Sequence, residues 1–379
     1  MPQAYHTIII GLGAMGSAAA YQLAGRGRRV LGLERFTPAH AHGSSTGRSR
    51  IIRQAYMEDP AYVPLLLRAY ELWERIEREA GEPLLTLSGG LMLGAPDSQA
   101  VAGATRSARE HGLEHELLDA AEIRRRFPPL RPDEGTVGLF ERRAGFVRPE
   151  ASIEAHLRRA AALGAELHFE EPALSWQADE RGVLVTTARG SYAAGRLVIA
   201  PGAWAPGLLA DAGVPLQVLR QVLYWLAPEG GVEPFLPDRF PIYIWEVSPE
   251  LSFYGFPHQE GPPGGVKVAL HTGGTPCSPA TIDRTVRPDD VAGLRAAVGD
   301  RIPALRGPLL DAATCMYTST PDEHFVIGMH PRRPNVVLAS PCSGHGFKFA
   351  SVVGEMLADL AETGATRHPI GLFDPGRFA

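Results

Sequence analysis

Two kinds of hydrophobic pattern occur along this chain, and each predicts a different kind of sheet. Near the beginning, an almost continuous apolar run at residues 7–10 leads through glycines into a helical pattern that ends near Gly25. A second apolar run, Val30 to Leu33, follows. Runs of this kind are typical of strands buried on both faces of a parallel sheet. The chain therefore opens with a predicted strand, helix and strand.

Two later segments belong to the same pattern. An amphipathic helix is predicted to begin at Asp59 and Pro60 and to end at Gly81, with apolar positions Leu65, Leu66, Tyr70, Trp73 and Ile76. Near the other end, residues 335–340 predict a buried strand, and the turn at 343–346 leads into a helix that Gly364 stops. Residues 194–204 predict another buried strand that runs into a tight glycine turn.

The middle of the chain has aromatic and alternating segments that are typical of antiparallel sheets. They cover residues 222–227, 239–247, 251–257 and 265–272. The predicted fold class is α/β, with a Rossmann-like nucleotide-binding domain and an inserted, mainly antiparallel β domain. The nucleotide-binding domain is predicted to comprise residues 1–85, 145–215 and 320–379, and the inserted domain residues 86–144 and 216–319.

A glycine-rich turn, Gly11-Leu12-Gly13-Ala14-Met15-Gly16, joins the first strand to its helix, and Glu34 ends the second strand. Glycines let backbone amides approach a pyrophosphate at the N-terminus of the helix. An acidic residue at the end of the second strand can accept hydrogen bonds from a ribose. The unit predicts a dinucleotide site, but it does not distinguish NAD from FAD.

Composition narrows the function classes. A chain of 379 residues, 45% apolar and 21% charged, predicts two domains, and a net charge of -5 argues against nucleic-acid and anionic-membrane partners. The three cysteines, at 277, 315 and 342, predict neither a disulfide framework nor a metal site. Residues 1–6 contain no basic residue to start a signal peptide, and no apolar run approaches the roughly 20 residues of a membrane span. A cytoplasmic location is therefore expected.

Lysine is almost absent from this chain. Of 37 basic residues, all but Lys267 and Lys348 are arginines. Lysine is retained where a compact, titratable ammonium is needed, although chance retention is an alternative explanation. The strand period of two places Lys267, Ala269 and His271 on one face of their strand. That face is predicted to line a site, and a solvent-facing strand is the alternative.

Two further segments carry candidate chemistry. Cys315 lies beside Met316 and Tyr317 in a stretch that we interpret as rich in turns. Such a cysteine is either a small buried hydrophobe or a nucleophile, and a thiolate can attack the 8α-methyl group of an oxidised flavin to leave a thioether. The glycine-rich turn at 343–348 either allows close helix packing or offers amides and a positive dipole to the charge of a reduced flavin.

Together these segments resemble the monomeric sarcosine oxidase and N-methyltryptophan oxidase family, within the D-amino-acid-oxidase-like flavoproteins. The resemblance extends over essentially the whole chain. Its specific pieces are residues 11–16, 43–53, 254–257, 267–271, 315–318, 321–325 and 343–349. The chain departs from the family pattern at Thr46, Arg48 and Pro341-Cys342.

The resemblance implies an FAD-binding domain, a substrate domain and FAD attached covalently through Cys315. Arg53 and Lys348 are implied to bind the substrate carboxylate, with Tyr254 and His271 lining the pocket. Implied catalytic residues are Lys267, Arg50, Tyr254 and His271. The cofactor is implied to contact Gly11, Leu12, Gly13, Ala14, Met15, Gly16, Glu34, Arg35, Ser44, Ser45, Arg50, Ile51, Gly202, Trp204, Cys315, Met316, Tyr317, Gly344, Gly346, Phe347 and Lys348.

The family also implies how the reaction runs. Lys267 and Arg50 would lie on opposite faces of the flavin ring, and Lys267 would be where oxygen is reduced, because a fixed cation stabilises the superoxide anion. The substrate would be a secondary amino acid such as sarcosine. Its C–N bond would be oxidised to give the demethylated amino acid, formaldehyde and hydrogen peroxide. The expected partners are this small substrate and oxygen, with no metal, and the chain is expected to be a monomer.

The departures leave alternatives open. Cys342, together with Trp245 on a neighbouring strand, suggests room for a larger apolar side chain or a cyclic N-methyl amino acid. A dehydrogenase of the same fold would pass electrons to a quinone or an electron-transfer protein instead of oxygen. An NAD-dependent dehydrogenase would need only the first glycine unit, and a non-catalytic flavin-binding protein would not need the Arg53 and Lys348 pair.

Overall fold

The computed structural model describes residues 5–378 and folds them into three β-sheets and eight α-helices. The strands are β1 (Tyr5–Ile10), β2 (Val30–Leu33), β3 (Arg50–Ile52), β4 (Leu85–Leu87), β5 (Gly90–Gly94), β6 (Glu116–Asp119), β7 (Val137–Glu141), β8 (Gly145–Val147), β9 (Glu166–His168), β10 (Ser175–Asp179), β11 (Gly182–Thr186), β12 (Ser191–Ile199), β13 (Gln217–Leu226), β14 (Ile242–Ser248), β15 (Leu251–Gly255), β16 (Val266–Leu270), β17 (Thr275–Pro276), β18 (Leu309–Ser319), β19 (Val326–His330) and β20 (Arg333–Ser340). The helices are α1 (Ala14–Gly25), α2 (Val63–Ala80), α3 (Ala104–Glu110), α4 (Ala120–Arg126), α5 (Pro149–Ala162), α6 (Ala205–Leu208), α7 (Pro288–Val298) and α8 (Ala350–Thr363).

The first sheet is the parallel sheet that the apolar runs predict. Strands β9, β2, β1, β12 and β20 lie side by side in parallel, and β19 and the β10–β11 hairpin extend the sheet with antiparallel pairs. Ile9 packs in one apolar cluster, while Ile8 and Ile10 pack in another. The sheet is thus buried on both faces, which is why its strands lack the alternation of polar and apolar residues.

Helices α1, α2, α5 and α8 contribute side chains to the larger of these two clusters. Small residues allow α1 and α8 to lie very close together: a Cβ placed on Gly354 would lie 2.6 Å from the Cβ of Ala18. Both predicted helix stops are confirmed, because Gly81 and Gly364 adopt the left-handed conformation with φ values of 70° and 76°. These helices fix the glycine turn and the C-terminal turn relative to the sheet.

The second sheet has nine strands and is antiparallel except where β14 pairs with β5. Its main path runs β17-β13-β16-β15-β14-β5-β7-β6, and β18 pairs with β13. All nine strands fall within residues 86–144 and 216–319. The predicted fold class is confirmed, and the proposed division into domains stays a prediction.

A third, three-stranded sheet joins β3 and β4 to β8. It places Arg50 beside Val147 and fixes the start of the segment that continues to Arg53. No helix within residues 5–378 is both long enough and apolar enough to cross a membrane.

One local interpretation of the sequence is wrong. Cys315 does not lie in a turn-rich stretch but in β18, where it pairs with Gln221 of β13. The strand ends at Ser319, so the turn residues that suggested otherwise, such as Pro321, lie just beyond its end. Placement on a strand gives Cys315 a fixed backbone, which a turn would not.

Candidate active site

A cavity of about 310 Å³ lies at the ends of β1 and β2, where the glycine turn was predicted to bind a dinucleotide. We call it the nucleotide cavity. Its wall includes eleven of the residues expected to contact a cofactor: Gly11, Leu12, Gly13, Ala14, Met15, Glu34, Arg35, Ser44, Ser45, Gly202 and Trp204. The fold therefore assembles one surface from four separate segments of the sequence.

Gly16 lies outside this wall. A Cβ on Gly16 would lie 1.8 Å from the carbonyl oxygen of Gly11, so only glycine allows the helix to start this close to the turn. Gly13 differs, because a Cβ there would meet only Ser45 Oγ, at 4.0 Å, and would point into open space. Gly16 thus serves close packing in this structure, and its contact with the cofactor stays a prediction.

Glu34 holds the turn from the other side. Its carboxylate accepts hydrogen bonds from the backbone N–H groups of Leu12 at 2.8 Å and Phe36 at 3.1 Å. His40 Nε2 lies 3.4 Å from the same carboxylate. Glu34 therefore stabilises the backbone of the turn in this structure, and its contact with a ribose stays a prediction.

A second cavity, of about 110 Å³, adjoins the first, and we call it the inner cavity. The two cavities share six wall residues: Ala14, Met15, Ser44, Ser45, Pro341 and Cys342. The inner wall also brings together predicted residues that are far apart in sequence, namely Arg50, Ile51, Arg53, Tyr254, His271, Cys315, Met316, Tyr317, Gly344, Gly346, Phe347 and Lys348. A ligand could extend from one cavity into the other.

Two buried cations, Arg53 and Lys348, line the inner cavity, and together we call them the clamp. Arg53 Nη2 donates to both oxygens of Glu58, at 2.7 and 2.9 Å, and Nη1 donates to the carbonyl of Ala55 at 3.0 Å. Lys348 Nζ donates to the carbonyl of His345 at 2.7 Å. The clamp thus has two positive groups and one carboxylate, so it carries a positive charge when all three groups are ionised.

Titration of these groups follows from their surroundings. Burial and then the Arg53 guanidinium lower the pKa of Lys348, Glu58 partly opposes them, and the result is a pKa of about 7. Burial alone would raise the pKa of Glu58, but Arg53, His345 and Lys348 together outweigh it and bring that pKa to about 2. Glu58 is thus ionised, whereas Lys348 changes charge near neutral pH.

Aromatic residues form another part of the inner wall. The His271 ring lies edge-on to Tyr254 and Tyr317, with ring centres 6.0 and 6.1 Å away. Burial lowers the pKa of His271 and raises the pKa of Tyr254, so both are neutral near pH 7. Ile244 and Met57 add apolar surface. This part of the wall therefore presents uncharged groups to a ligand.

Cys315 faces this cavity with a cation beside its sulfur. Arg50 Nη2 lies 3.6 Å from Cys315 Sγ and also donates to the carbonyl of Ser44 at 2.9 Å. Cys315 is almost completely buried, with 2% of its surface exposed. The sulfur therefore lies at the cavity wall within hydrogen-bond distance of a cation.

Lys267 lies behind Arg50 and does not form part of the wall of the inner cavity. Its Nζ donates to three oxygens: the carbonyls of Gly47 at 2.7 Å and Ser49 at 2.8 Å, and Ser49 Oγ at 3.3 Å. Burial and the neighbouring Arg50 guanidinium lower the pKa of Lys267 well below its ordinary value. The predicted polar face of β16 is therefore buried, and the solvent-facing alternative is wrong.

The loop above Lys267 is held from its other side by Glu150 at the start of α5. Glu150 Oε1 accepts hydrogen bonds from the backbone N–H groups of Gly47 at 2.7 Å and Arg48 at 3.1 Å. We call residues 44–49 the anchor loop, because one end of α5 and one strand of the second sheet both bind it.

Sequence reasoning placed one residue wrongly. Trp245 does not line the inner cavity; it packs in the apolar cluster on the other face of the second sheet and stacks on Phe253 at 5.7 Å. Its neighbour Ile244 takes the position on the cavity wall. Alternation along β14 makes only one of the two available to the cavity.

Sequence reasoning also missed Glu58, Tyr56 and His345. Glu58 and His345 line the inner cavity, and the Tyr56 hydroxyl forms a hydrogen bond with His345 Nδ1. A charged residue directly before the predicted start of α2 was the one available signal for Glu58. The other two are recognisable only once the C-terminal turn is packed against residues 53–58.

The two cavities fit an FAD molecule. Within residues 5–378, Ser44 Oγ and Thr318 Oγ1 are buried on the inner wall without a hydrogen-bond partner, and such groups need a polar ligand. The open surface at Gly13 leaves room for a phosphate against the backbone. Together they would accommodate a dinucleotide in one cavity and a polar ring system beside Cys315 in the other.

Comparison with known proteins identifies the family. The model of the FAD dependent oxidoreductase family matches residues 6–360. A monomeric sarcosine oxidase of Streptomyces avermitilis is 58% identical over 100% of this chain and 99% of its own length. The chain belongs to the monomeric sarcosine oxidase family. An N-methyl-L-tryptophan oxidase of Citrobacter koseri is 35% identical and covers 99% of each chain, so this family includes both kinds of relative.

Solved structures agree with the family assignment. NikD, described as an unusual amino acid oxidase essential for nikkomycin biosynthesis, has a TM-score of 0.85 and 26% identity over 98% of each chain. The L-proline dehydrogenase of P. horikoshii has a TM-score of 0.84 and 26% identity over 100% of this chain and 98% of its own. Like the sarcosine oxidase family, the chain is an FAD-dependent oxidoreductase.

Proposed function

We propose that this chain oxidises the N-methyl group of a small secondary amino acid, with sarcosine as the preferred substrate and oxygen as the electron acceptor. One observation carries the proposal: the buried clamp of Arg53 and Lys348 lines a cavity that is continuous with the nucleotide cavity. A carboxylate bound between these cations would keep the rest of the amino acid within the inner cavity. The sarcosine and N-methyl-L-tryptophan oxidases among its relatives support this substrate class.

The side chains would bind and orient the substrate. Arg53 and Lys348 neutralise the carboxylate, and the neutral wall of Tyr254 and His271 leaves the amine free to lose its proton. Bound FAD supplies a two-electron acceptor that returns the electrons to oxygen. The balanced reaction converts sarcosine, oxygen and water into glycine, formaldehyde and hydrogen peroxide.

The substrate is proposed to be small because of the cavity itself. Ile244 and Met57 close the apolar side of the inner cavity, which must also hold the flavin ring beside Cys315. Trp245, one of two residues that suggested a larger side chain, lies on the other face of the sheet. We expect turnover to fall from sarcosine to N-methyl-leucine to N-methyltryptophan. Equal or reversed preference in a peroxide assay would contradict this order.

Covalent attachment of FAD through Cys315 is part of the proposal. The sulfur faces the inner cavity with Arg50 Nη2 at 3.6 Å, where it could reach a bound flavin ring. Acid denaturation should leave the yellow colour on the polypeptide, with an intact mass greater by one FAD. Cys315→Ala should release the colour, whereas Cys277→Ala, outside both cavities, should retain it. Colour that washes away from the parent protein would contradict the linkage.

Lys267 is proposed to promote oxygen reduction. Lys267 and Arg50 both donate to the carbonyl of Ser49, at 2.8 and 2.9 Å, so in this structure they lie on the same side and the expected placement on opposite faces of the flavin is not part of the proposal. Burial and Arg50 lower the pKa of Lys267, but three oxygen atoms accept hydrogen bonds from its Nζ, an arrangement that favours the ammonium form. A fixed cation beside the reacting flavin would stabilise the anion formed when oxygen takes its first electron. Similarity to the monomeric oxidases also supports a monomer, and the cytoplasmic location stays a prediction.

A same-fold dehydrogenase is the second candidate, because the L-proline dehydrogenase of P. horikoshii covers the whole chain with a TM-score of 0.84. The two candidates differ in the fate of the electrons. Substrate added without oxygen should bleach the flavin, and admitting oxygen should restore the colour with one peroxide per substrate. Bleaching that only a quinone reverses would favour the dehydrogenase.

A further inference from the structure

Tyr56 contacts both cations of the clamp. The Arg53 guanidinium carbon lies 4.3 Å from the centre of the Tyr56 ring, and Lys348 Nζ lies 5.2 Å from it. Tyr56 is completely buried, and among the described residues it belongs to the wall of neither cavity. Any effect on a ligand must therefore pass through other residues.

The Tyr56 hydroxyl also reaches the clamp by a second route, through His345. His345 Nε2 lies 3.1 Å from the carbonyl of Glu323, so this nitrogen carries the proton and Nδ1 accepts from Tyr56. Burial lowers the pKa of His345 to about 3, which keeps the ring neutral. The carbonyl of His345 in turn accepts the hydrogen bond from Lys348 Nζ at 2.7 Å. The hydroxyl thus fixes the turn that holds Lys348.

Two cations in a buried site repel each other, and a further carboxylate would compete with the substrate for them. Glu58 already binds Arg53, at 2.7 Å. The electron-rich face of an aromatic ring attracts cations without offering a competing anion. The Tyr56 ring can therefore keep Arg53 and Lys348 charged and close together while leaving both free to bind a carboxylate.

We propose that Tyr56 is the positioning residue of the carboxylate clamp: its ring holds Arg53 and Lys348 together, and its hydroxyl holds the Lys348 turn through His345. This inference rests on the proposed function, because it takes the clamp to be the site of carboxylate recognition. Tyr56 also packs edge-on against Phe349 at 5.3 Å and beside Tyr62 at 4.9 Å. A purely structural role in that cluster is the competing explanation, and the experiments separate the two.

The first experiment removes the ring. Tyr56→Leu is compared with Phe373→Leu, which removes a buried ring from the same aromatic cluster, where Phe373 packs on Tyr62 and Phe325. The probe is methoxyacetate, in which an ether oxygen replaces the nitrogen of sarcosine, titrated into the holoenzyme by flavin absorbance. Tyr56→Leu should weaken binding about 10-fold to 100-fold, while Phe373→Leu changes it less than about twofold.

The second readout is one that a packing defect would not move. The pH midpoint at which methoxyacetate binding weakens reports the pKa of Lys348 in its setting of Arg53, Glu58, His271 and His345. Loss of the ring should lower this midpoint, because the ring stabilises the ammonium form. KM for sarcosine should rise in parallel with the Kd, and kcat at saturation should change by less than about threefold.

Conservative variants keep the inference testable if Tyr56→Leu does not fold. Tyr56→Phe retains the ring and should weaken methoxyacetate binding only about fivefold, through the lost hydrogen bond to His345. The matched control is Tyr62→Phe, which removes a buried hydroxyl bound to His324 Nδ1 at 3.0 Å and should leave binding unchanged.

The outcomes are distinct. Parent-like Kd and midpoint in Tyr56→Leu, or equal Kd values in Tyr56→Phe and Tyr62→Phe, would overturn the inference. So would a loss in Phe373→Leu as large as that in Tyr56→Leu. Failure of the parent holoenzyme to oxidise sarcosine would remove the proposed function instead, because methoxyacetate binding to the parent and to its variants is measured without turnover.

Discussion

Binding of a carboxylate to this protein should depend strongly on pH, and the clamp explains why. Burial and the Arg53 guanidinium hold the pKa of Lys348 at about 7. A bound carboxylate favours the ammonium form of Lys348. Nearly all of the protein can therefore bind it below neutral pH, and this fraction falls as the pH rises and Lys348 loses its proton. The perturbation is therefore a rise in pH from 6 to 9, with methoxyacetate as a ligand that stays ionised over this range.

The magnitude follows from the fraction of protein in which Lys348 is charged. With a pKa of about 7, nearly all of the protein is competent at pH 6 and about 1% at pH 9. The apparent Kd, which is the intrinsic Kd divided by the competent fraction, should rise about 100-fold. This corresponds to about 2.7 kcal/mol. The rise should begin near pH 7 and approach tenfold per pH unit.

Glu141 could produce a similar curve, so it needs its own control. It is buried, accepts hydrogen bonds from the backbone N–H groups of Gln54 and Ala55, and burial raises its pKa to about 7. A new negative charge there would also weaken the hold of Arg53 on an anion. Glu141→Gln should keep the steep dependence if Lys348 is the cause, and Lys348→Met should flatten it.

Flavin absorbance titrations of the holoenzyme at several pH values measure this directly. The parent and both variants are titrated with methoxyacetate, and flavin content is checked in each sample. A parent Kd that stays constant from pH 6 to pH 9 would refute the reasoning. The same conclusion would follow if Lys348→Met retained the full pH dependence of the parent.

Three further predictions test separate parts of the site. Gly16→Ala should lower the free energy of unfolding by about 1–3 kcal/mol in thermal unfolding, because its Cβ would lie 1.8 Å from the Gly11 carbonyl oxygen. Gly13→Ala should unfold like the parent but incorporate less flavin. Equal unfolding temperatures for the two variants would contradict this. Glu58→Gln should tighten methoxyacetate binding about tenfold at pH 6, because Arg53 no longer has a competing carboxylate. Weaker binding in the titration would show that Glu58 is needed to orient Arg53. Lys267→Met should slow the reaction of the reduced enzyme with oxygen about 10²-fold to 10³-fold in stopped-flow absorbance. Bleaching of the flavin by substrate should keep the rate of the parent. An unchanged rate of reoxidation would exclude Lys267 from the oxygen step.

Local patterns were enough to predict the parts of the fold that depend on neighbouring residues. The glycine turn, the acidic end of β2 and the stop at Gly364 each follow from the conformational needs of a few adjacent positions. The two faces of β16 follow from the strand period of two, because Val266 and Val268 pack in one cluster and Ala269 in another.

Other features depend on how distant segments meet, and the sequence carries no local sign of them. The period of two shows that Ile244 and Trp245 face opposite sides, but the register of β14 with β5 and β15 decides which side is the cavity. Tyr56 and His345 are 289 positions apart, and packing of the C-terminal turn brings them together. The family resemblance predicted the clamp, but it did not predict that Tyr56 contacts both of its cations.

The anchor loop has a consequence for attempts to exchange parts between relatives. It is bound on one side by Glu150, at the start of α5, and on the other by Lys267 from the nine-stranded sheet. Its chain continues directly into Arg50 and Arg53. A chimaera that takes only the antiparallel sheet from a relative would combine the relative's counterpart of Lys267 with the anchor loop of this chain. The mismatch would shift Arg50 and Arg53. Exchange of substrate preference should therefore succeed only when residues 44–53 are exchanged together with the sheet.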